Sequence, residues 1–471
     1  KDPKELIQVP ENAQYFAAIG CIRFGIDEDE DVGIYQGYEK LEWYMNVGRL
    51  EEKKKRGGSG LYKSEDELAG FKARFAHKKF VPKTFQPGER VKAFMGIDGG
   101  STSTKAVLVS EQGEVMVKCY ELSKGNPLED TKEMFANLRK QVESQGAEIE
   151  LLGVGTTGYA KDILKDVLTA DVAIVETVAH TEAALHFYPN ADVICDVGGQ
   201  DIKLIILQDG RVKDFKLNTQ CSAGNGYFLQ STCVGFGREV TEYADLAFSA
   251  KAMPMFGYGC AVFMQSDIVD FQRQGWKPEE IMAGLANVLP KNIWLYVSQI
   301  PNLASLGNTF ILQGGTQYNL AAVKSQVDFI ESRFKDKGAK PNVIVHEHCG
   351  ESGAIGAALE VRRLYGRGMR TQFIGFDAVE NISYVTHRSE DTRCYFCKNK
   401  CMRTFIDVNI AGADESWKKS KIPLIKDVKR LIVGNSCEKG LVEDVNDMRE
   451  IKKGLDQMKK DNPNMAEVGA R

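Results

Sequence analysis

One strand–loop–strand unit is written twice in this chain, and few folds accommodate such a duplication. The apolar run Ala93 to Ile97 ends on Asp98, continues through Gly99, Gly100, Ser101, Thr102, Ser103, Thr104 and Lys105, and enters a second apolar run, Ala106 to Val109, that stops at Gln112-Gly113. The run Val193 to Cys195 ends on Asp196, continues through Val197, Gly198, Gly199, Gln200, Asp201, Ile202 and Lys203, and enters Leu204 to Leu207, which stops at Asp209-Gly210. In both copies a Gly follows the Asp by two residues and a Lys follows it by seven, at a constant offset of 98. One such hairpin is an ordinary glycine turn; Asp, Gly and Lys kept in two copies point to a shared task. Backbone N–H groups of each loop can cradle phosphate oxygens, with glycine leaving room for close approach. Ser101, Thr102 and Lys105 add donors to the first copy. Asp98 and Asp196 stand at strand ends suited to Mg2+, which takes one or two protein carboxylates and keeps its waters. The two loops predict a clamp around a nucleotide, with Asp98 facing Asp196 across a cleft.

A third glycine pair follows the apolar strand Thr309 to Leu312 as Gln313, Gly314, Gly315 and Thr316, suited to carry an adenosine on exposed backbone, and a small-residue helix follows at Gly353 to Ala358. From Phe94 to about Tyr365, short β-branched runs alternate with helical periods, an α/β pattern. A competing run, Gly153, Gly155 and Gly158, follows a strand, precedes a helix-like segment and has Glu176 downstream, so it meets the dinucleotide fingerprint of nicotinamide enzymes. It lies between the two Asp loops and leaves both unexplained. The order of phosphate loop, phosphate loop, adenosine loop and small-residue helix resembles the superfamily of actin, sugar kinases and chaperone ATPases. That resemblance implies duplicated, ribonuclease-H-like α/β domains around a nucleotide cleft, with ATP and Mg2+ as ligands. Residues 93–190 and 353–368 would form the first ATPase subdomain and 191–352 the second. Gln200 is the candidate for orienting the attacking water, and Asp196 for holding that water or the Mg2+.

Composition narrows the setting. Lys and Arg number 61 against 65 Asp and Glu, and no basic stripe interrupts the balance, which argues against nucleic-acid binding. No apolar run approaches the roughly 18 residues of a membrane helix. Eleven cysteines without a secretory signal predict a reducing, cytoplasmic setting in which thiols serve metals or chemistry. Two of them stand at predicted helix starts: Cys221 before Ser222, Ala223, Gly224, Asn225 and Gly226, and Cys260 after Gly257, Tyr258 and Gly259. The exposed N–H groups of a helix start favour thiolate, the form that binds iron. Two thiolates cannot complete a four-cysteine cluster, whereas two from each side of a twofold axis can.

Together these residues resemble the activator ATPases of 2-hydroxyacyl-CoA dehydratases and the related ATP-binding subunits of benzoyl-CoA reductase, over residues 94–366. The matching features are the first loop, Gly155 to Tyr159 (GTTGY), the second loop, Cys221 with its Ala-Gly turn, Gly259 to Phe263, and Gly314-Gly315. The resemblance implies a homodimer that holds one [4Fe–4S] cluster through Cys221 and Cys260 of each subunit. It further implies an electron donor such as a ferredoxin or flavodoxin, and a partner of the dehydratase or reductase type that receives a low-potential electron as ATP is hydrolysed. Asn225 and Tyr227 depart from the pattern, since small activators carry Thr and Arg there. The likeness is greater to the larger multidomain members, which carry two activase repeats. Val9 to Gly20 matches Val345 to Gly356 at Val9, Glu11, Ala18, Ile19 and Gly20, with an offset of 336. Residues 1–50 are therefore expected to be the tail of a preceding activase repeat, able to form a pseudo-dimer with this one, and residues 51–92 a solvated linker. Residues 369–471 are expected to begin a small C-terminal cysteine-containing α/β domain. In it Cys394, Cys397, Cys401 and Cys437 form a candidate second site for zinc or another iron–sulfur cluster, ahead of a charged helix from about Val442 to Lys460. Cys21, Cys119, Cys195, Cys233 and Cys349 read as small core residues. Glu176 and His180, one helical turn apart, read as a hydrogen-bonded structural pair. Two other functions fit parts of the pattern: a small-molecule kinase of the same superfamily, which has no use for Cys221 and Cys260, and a non-catalytic nucleotide-binding assembly module.

Overall fold

The computed structural model describes residues 10–29, 35, 37–218, 225–334, 338, 340–409, 428–433 and 437–463. Its first sheet comprises β1 (Arg90–Gly99), β2 (Ser103–Val109), β3 (Val115–Leu122), β4 (Glu148–Thr157) and β5 (Val172–Ala173), in the order β3-β2-β1-β4-β5. The second comprises β6 (Val193–Val197), β7 (Ile202–Gln208), β8 (Arg211–Asn218), β9 (Thr309–Gln313) and β10 (Asn342–Val345), in the order β8-β7-β6-β9-β10. Each sheet is an antiparallel three-strand meander whose first strand also pairs in parallel with a later strand, which in turn pairs in parallel with the last. The duplication seen in the loops thus extends to the whole topology of both halves. The central strands β1 and β6 are apolar on both faces because helices cover them, as parallel sheets require.

Six helices position the site: α1 (Pro127–Glu143), α2 (Glu176–Phe187), α3 (Gly226–Gly235), α4 (Ala261–Arg273), α5 (Leu320–Ser332) and α6 (Ser352–Gly366). Helix α6 leaves the second half and returns to the first, packing Ala354, Ile355, Ala358 and Val361 against Phe94 and Val107. Its approach is close enough that a Cβ on Gly96 of β1 would lie 1.8 Å from the Ala354 carbonyl, and one on Gly356 would lie 1.9 Å from the Ala179 carbonyl of α2. The dinucleotide-like glycines serve the same packing. A Cβ on Gly153 would meet Val361 and one on Gly155 the Ala357 carbonyl, so these two positions face a helix and leave no room for a pyrophosphate. Among the described residues no helix is long and apolar enough to cross a membrane.

Residues 57–75, expected as part of a solvated linker, are folded onto the second half. Gly57–Ser59 pairs antiparallel with Ala252–Pro254. The helix Glu65–Phe75, whose N-cap Ser64 accepts from the Glu67 N–H, buries Leu68, Phe71 and Phe75 in the same core as Phe248 and Val327. Its Glu67 reaches Lys324 of α5 at 2.8 Å. The chain then crosses to the first half without helix or strand: His77 Nε2 is 2.8 Å from the Gln317 carbonyl, the Lys83 N–H donates to Met116, and Phe85 enters the first core. The apolar spacing that buries this helix, once per turn, outweighs the Gly/Ser and Lys content that suggested a linker.

The helix Phe16–Asp27, which carries the repeat trace, buries no residue. Ile19 is 41% exposed, whereas its counterpart Ile355 is fully buried in α6. Of the cysteines expected in the core, Cys119, Cys195, Cys233 and Cys349 are buried and Cys21 is exposed on that helix. At the other end β11 (Ser383–His387), β12 (Thr404–Asn409) and β13 (Val428–Val433) form an antiparallel sheet whose Val408 and Leu431 join the first half's core. A bidentate Arg430–Asp407 pair, at 2.7 Å on both arms, crosses from β13 to β12. The charged helix follows at Val445–Asp461.

The loop between β10 and α6 carries His346 and His348, buried beside Phe187 and Tyr188. Burial, with His348 alongside, pushes His346 down to about 3; burial, with Lys118 near, pushes His348 down to about 4. Both folded values lie below the ordinary histidine value, so the unfolded chain takes up more protons as pH falls. Stability is then lost as pH drops below about 6.5, by about 2 kcal/mol per ring between pH 7 and 5. A lower urea midpoint at pH 5 than at pH 7 is the expected result; equal midpoints would mean that the rings are not held neutral.

Candidate active site

Asp98 stands one residue from the end of β1 and Asp196 one residue from the end of β6, 5% and 1% exposed. Each lies directly across its hairpin from the lysine seven residues on, Asp98 from Lys105 and Asp196 from Lys203, so the repeated spacing is a cross-strand rung. Both loops close with the same bond, Gly100 N–H to the Ser103 carbonyl and Gly198 N–H to the Asp201 carbonyl, at 3.1 and 2.9 Å. The loops meet: Ser101 Oγ donates to Gln200 Oε1 at 3.0 Å, and a Cβ on Gly199 would lie 2.2 Å from Thr102 Oγ1. Gly99 backs the first loop against Leu164.

The third glycine pair joins them. Gly314, at φ 93, lies so close to Val197 that a Cβ would be 2.3 Å from its carbonyl oxygen, a position open only to glycine. Gly315 faces the Tyr120 hydroxyl of β3, and Thr316 Oγ1 donates to the Gly198 carbonyl at 3.1 Å. Gly314 to Thr316 therefore stand beside the second loop, between it and the first half.

The two rungs differ in their ion pairs. Lys105 Nζ lies 3.2 Å from Asp98, and although burial opposes its charge, that carboxylate holds the ammonium above its ordinary value. Lys203 turns instead to Asp201 and Glu176, at 2.6 and 2.8 Å. Asp196 is met by His180 Nδ1 at 2.8 Å and by the Gln313 amide at 3.3 Å. Burial opposes both charges, but the pairing wins, holding the His180 imidazole above its usual value and the Asp196 carboxyl well below the carboxylate range. Glu176 and His180 thus do not pair with each other; from one face of α2 they reach separate partners in the second half. Gly158 and Gly353 wall the Asp98 carboxylate, since a Cβ on either would lie 2.5 or 2.8 Å from its oxygens, and Gly353 also abuts the His180 ring. His180 therefore sits between the two aspartates. Sequence reading missed this bridge, for which the only local signal is a histidine four residues after an acid.

The donor set fits hydrated Mg2+. Two carboxylates stand one residue from the ends of the paired strands, and the buried Oε1 of Gln313, beside Asp196, has no hydrogen-bond partner among the described residues, leaving an acceptor suited to a metal-bound water. Cys260 lies half-buried at the N-terminus of α4, with exposed Tyr258, Val262 and Phe263 around it, a thiol whose chemistry and setting suit iron. Cys221 lies outside the described residues. At the expected C-terminal site the Cys394 N–H donates to the Cys401 carbonyl; Cys394 is buried, Cys401 half-buried, and Cys397 and Cys437 are exposed. Among the described residues no group of three or more His, Cys, Asp or Glu side chains is arranged to hold a metal.

Two like α/β halves, each contributing an Asp-ended glycine loop to a shared junction, define an actin-like ATPase. The chain belongs to the BadF/BadG/BcrA/BcrD ATPase family, whose sequence model matches residues 95–361. It is 25% identical over 228 residues to the (R)-2-hydroxyglutaryl-CoA dehydratase activating ATPase of Acidaminococcus fermentans, covering 48% of this chain and 83% of that one. It is 28% identical over 267 residues to the activator of lactoyl-CoA dehydratase of Anaerotignum propionicum, covering 56% and 95%. In fold it is similar to the activator of the 2-hydroxyisocaproyl-CoA dehydratase from Clostridium difficile with bound ADPNP, with a TM-score of 0.50 and 23% identity over 59% of this chain and 98% of that one.

Proposed function

We propose that this chain is an activase that couples ATP hydrolysis to the one-electron reduction of a partner enzyme of the 2-hydroxyacyl-CoA dehydratase or benzoyl-CoA reductase type. The observation that carries the reading is the meeting of the two Asp-ended loops, Ser101 on Gln200, in a chain of this ATPase family. Gly100, Ser101, Thr102, Gly198 and Gly199 bind the phosphates, Lys105 neutralises them, and Gly314, Gly315 and Thr316 seat the adenosine. Asp98 and Asp196 would hold hydrated Mg2+, which would offset the phosphate charge, and Gln200 orients the water that takes the γ-phosphoryl group, releasing ADP, phosphate and a proton. Cys221 and Cys260 of each of two subunits, or of two repeats, hold one [4Fe–4S] cluster, with the exposed Tyr258, Val262 and Phe263 as part of the surface between them. When bound, the cluster would supply one-electron chemistry at low potential, with a ferredoxin or flavodoxin as the donor and the partner enzyme as the acceptor. Names of relatives, the half-buried thiol at a helix start and the apolar residues around it support this reading; the kinase alternative leaves them without a role.

The test is anaerobic purification followed by assays of ATP turnover and of iron and sulfide. A brown protein with one cubane per two chains and measurable ATPase activity is expected. A colourless protein that phosphorylates a hydroxyl compound instead of water would turn the reading to a kinase.

A further inference from the structure

The N-terminus of α3 is bonded to all of loop two. Gly226 N–H donates to the Gly198 carbonyl at 3.0 Å and Tyr227 N–H to the Gly199 carbonyl at 2.8 Å. Asn225, 2% exposed, completes the set with its side chain: Oδ1 accepts from the Phe228 N–H as the N-cap of α3, while Nδ2 donates to the Gln200 carbonyl at 2.9 Å. Gln200 in turn receives Ser101 from loop one. The Gly198 carbonyl also receives Thr316 from the third segment, whose Oγ1 comes so near that a Cβ on Gly226 would lie 2.5 Å from it. All three nucleotide segments therefore converge on the first turn of one helix, through contacts that a shift of loop two by an ångström would break.

We propose that Asn225 is the positioning residue that transmits the occupancy of the γ-phosphate position to α3. Its amide is suited to the task because it has both an acceptor for the cap and a donor for Gln200. When Gln200 follows a bound γ-phosphate, its carbonyl draws on Nδ2, and the cap at Oδ1 moves with it. The inference rests on reading Gly198 to Gln200 as the phosphate loop.

The experiment measures hydrogen exchange in residues 226–235 with no nucleotide, with ADP, and with a non-hydrolysable ATP analogue, at saturation established by calorimetry. The variants are Asn225→Asp and Asn225→Ser, both good N-caps. Aspartate cannot donate to Gln200, and serine is too short to cap and reach it together. Both variants are expected to lose little protection without nucleotide, because the cap survives and only the bond to Gln200 goes, and to lose about three- to tenfold of the ADP-to-ATP difference, the equilibrium weight of one net hydrogen bond. A merely structural role would lower protection equally in every state, which overturns the proposal, as does a full wild-type difference in either variant. Saturable binding of both nucleotides without any difference in wild-type α3 also overturns it and leaves the ATPase reading standing; absence of nucleotide binding overturns both.

Discussion

Replacing Asp98 or Asp196 with Asn is expected to lower the rate of MgATP hydrolysis by about a hundredfold or more, the several kcal/mol a metal's charge stabilisation is worth in phosphoryl transfer. The two variants should differ in how they fail. Asp98 is paired with Lys105 and walled by Gly158 and Gly353, so Asn fits the same space and the loss falls on Mg2+. Asp196 is also the hydrogen-bonded counter-charge of His180, and Asn leaves that buried ring with Asp98 as its remaining neighbouring anion. The ring then holds a proton less firmly, and some stability is lost with activity. Iron and sulfide should be unchanged in both, because neither carboxylate addresses iron. Normal hydrolysis in both variants would remove the clamp from the mechanism.

Serine at Cys260 or Cys221 is expected to abolish the bound cluster, with iron and sulfide falling to background, while ATP still binds. Loss of one thiolate per subunit leaves two of four ligands around the shared cubane, too few to hold it. Cys260 lies at the α4 N-terminus with no side-chain cap to replace, so the substitution costs little in folding. Serine at Cys195 is the contrasting control. That thiol is buried in β6, with burial pushing it well above its usual value, and its loss should affect stability and leave iron in place. A brown, iron-replete Cys260→Ser protein would contradict the ligand assignment.

The geometry of the paired loops was legible because it is local and repeated. The Asp-to-Lys spacing is a hairpin rung, the loop glycines form identical turns, and both survive translation from sequence to structure without knowledge of the rest of the fold. What sequence reading missed depends on residues far apart in the chain. His180 meets Asp196 only because α6 and β9 bring Ser352 and Gln313 to the same point. The segment 57–75 was misread because its Gly/Ser and Lys content masked the period of Leu68, Phe71 and Phe75, although Ser64 with Glu67 is a helix-start signature. The glycines at 153 and 155 satisfied a fingerprint for a reason unrelated to nucleotides, since close helix packing asks for the same absence of a side chain. The C-terminal cysteines have ligand-like spacing, yet Cys394 is buried while Cys397 and Cys437 are exposed, a difference that spacing alone does not reveal.

The passage from His77 to Phe85 has a mechanical consequence. Helices α2 and α6 already connect the two halves as pivots, and this third connection is moored to the second half at Gln317 and to the first at Met116. A jaw that turns only on its pivots can gape as far as sterics permit. Residues 78–82 span the gap between the moorings, with Phe80 packed edge-on to His348 and under the Lys118 ammonium, and an extended chain spans no more than about 3.3–3.6 Å per residue. The tether therefore sets a ceiling on how far the two halves can separate while both moorings hold, and that ceiling is written in the length of the N-terminal segment.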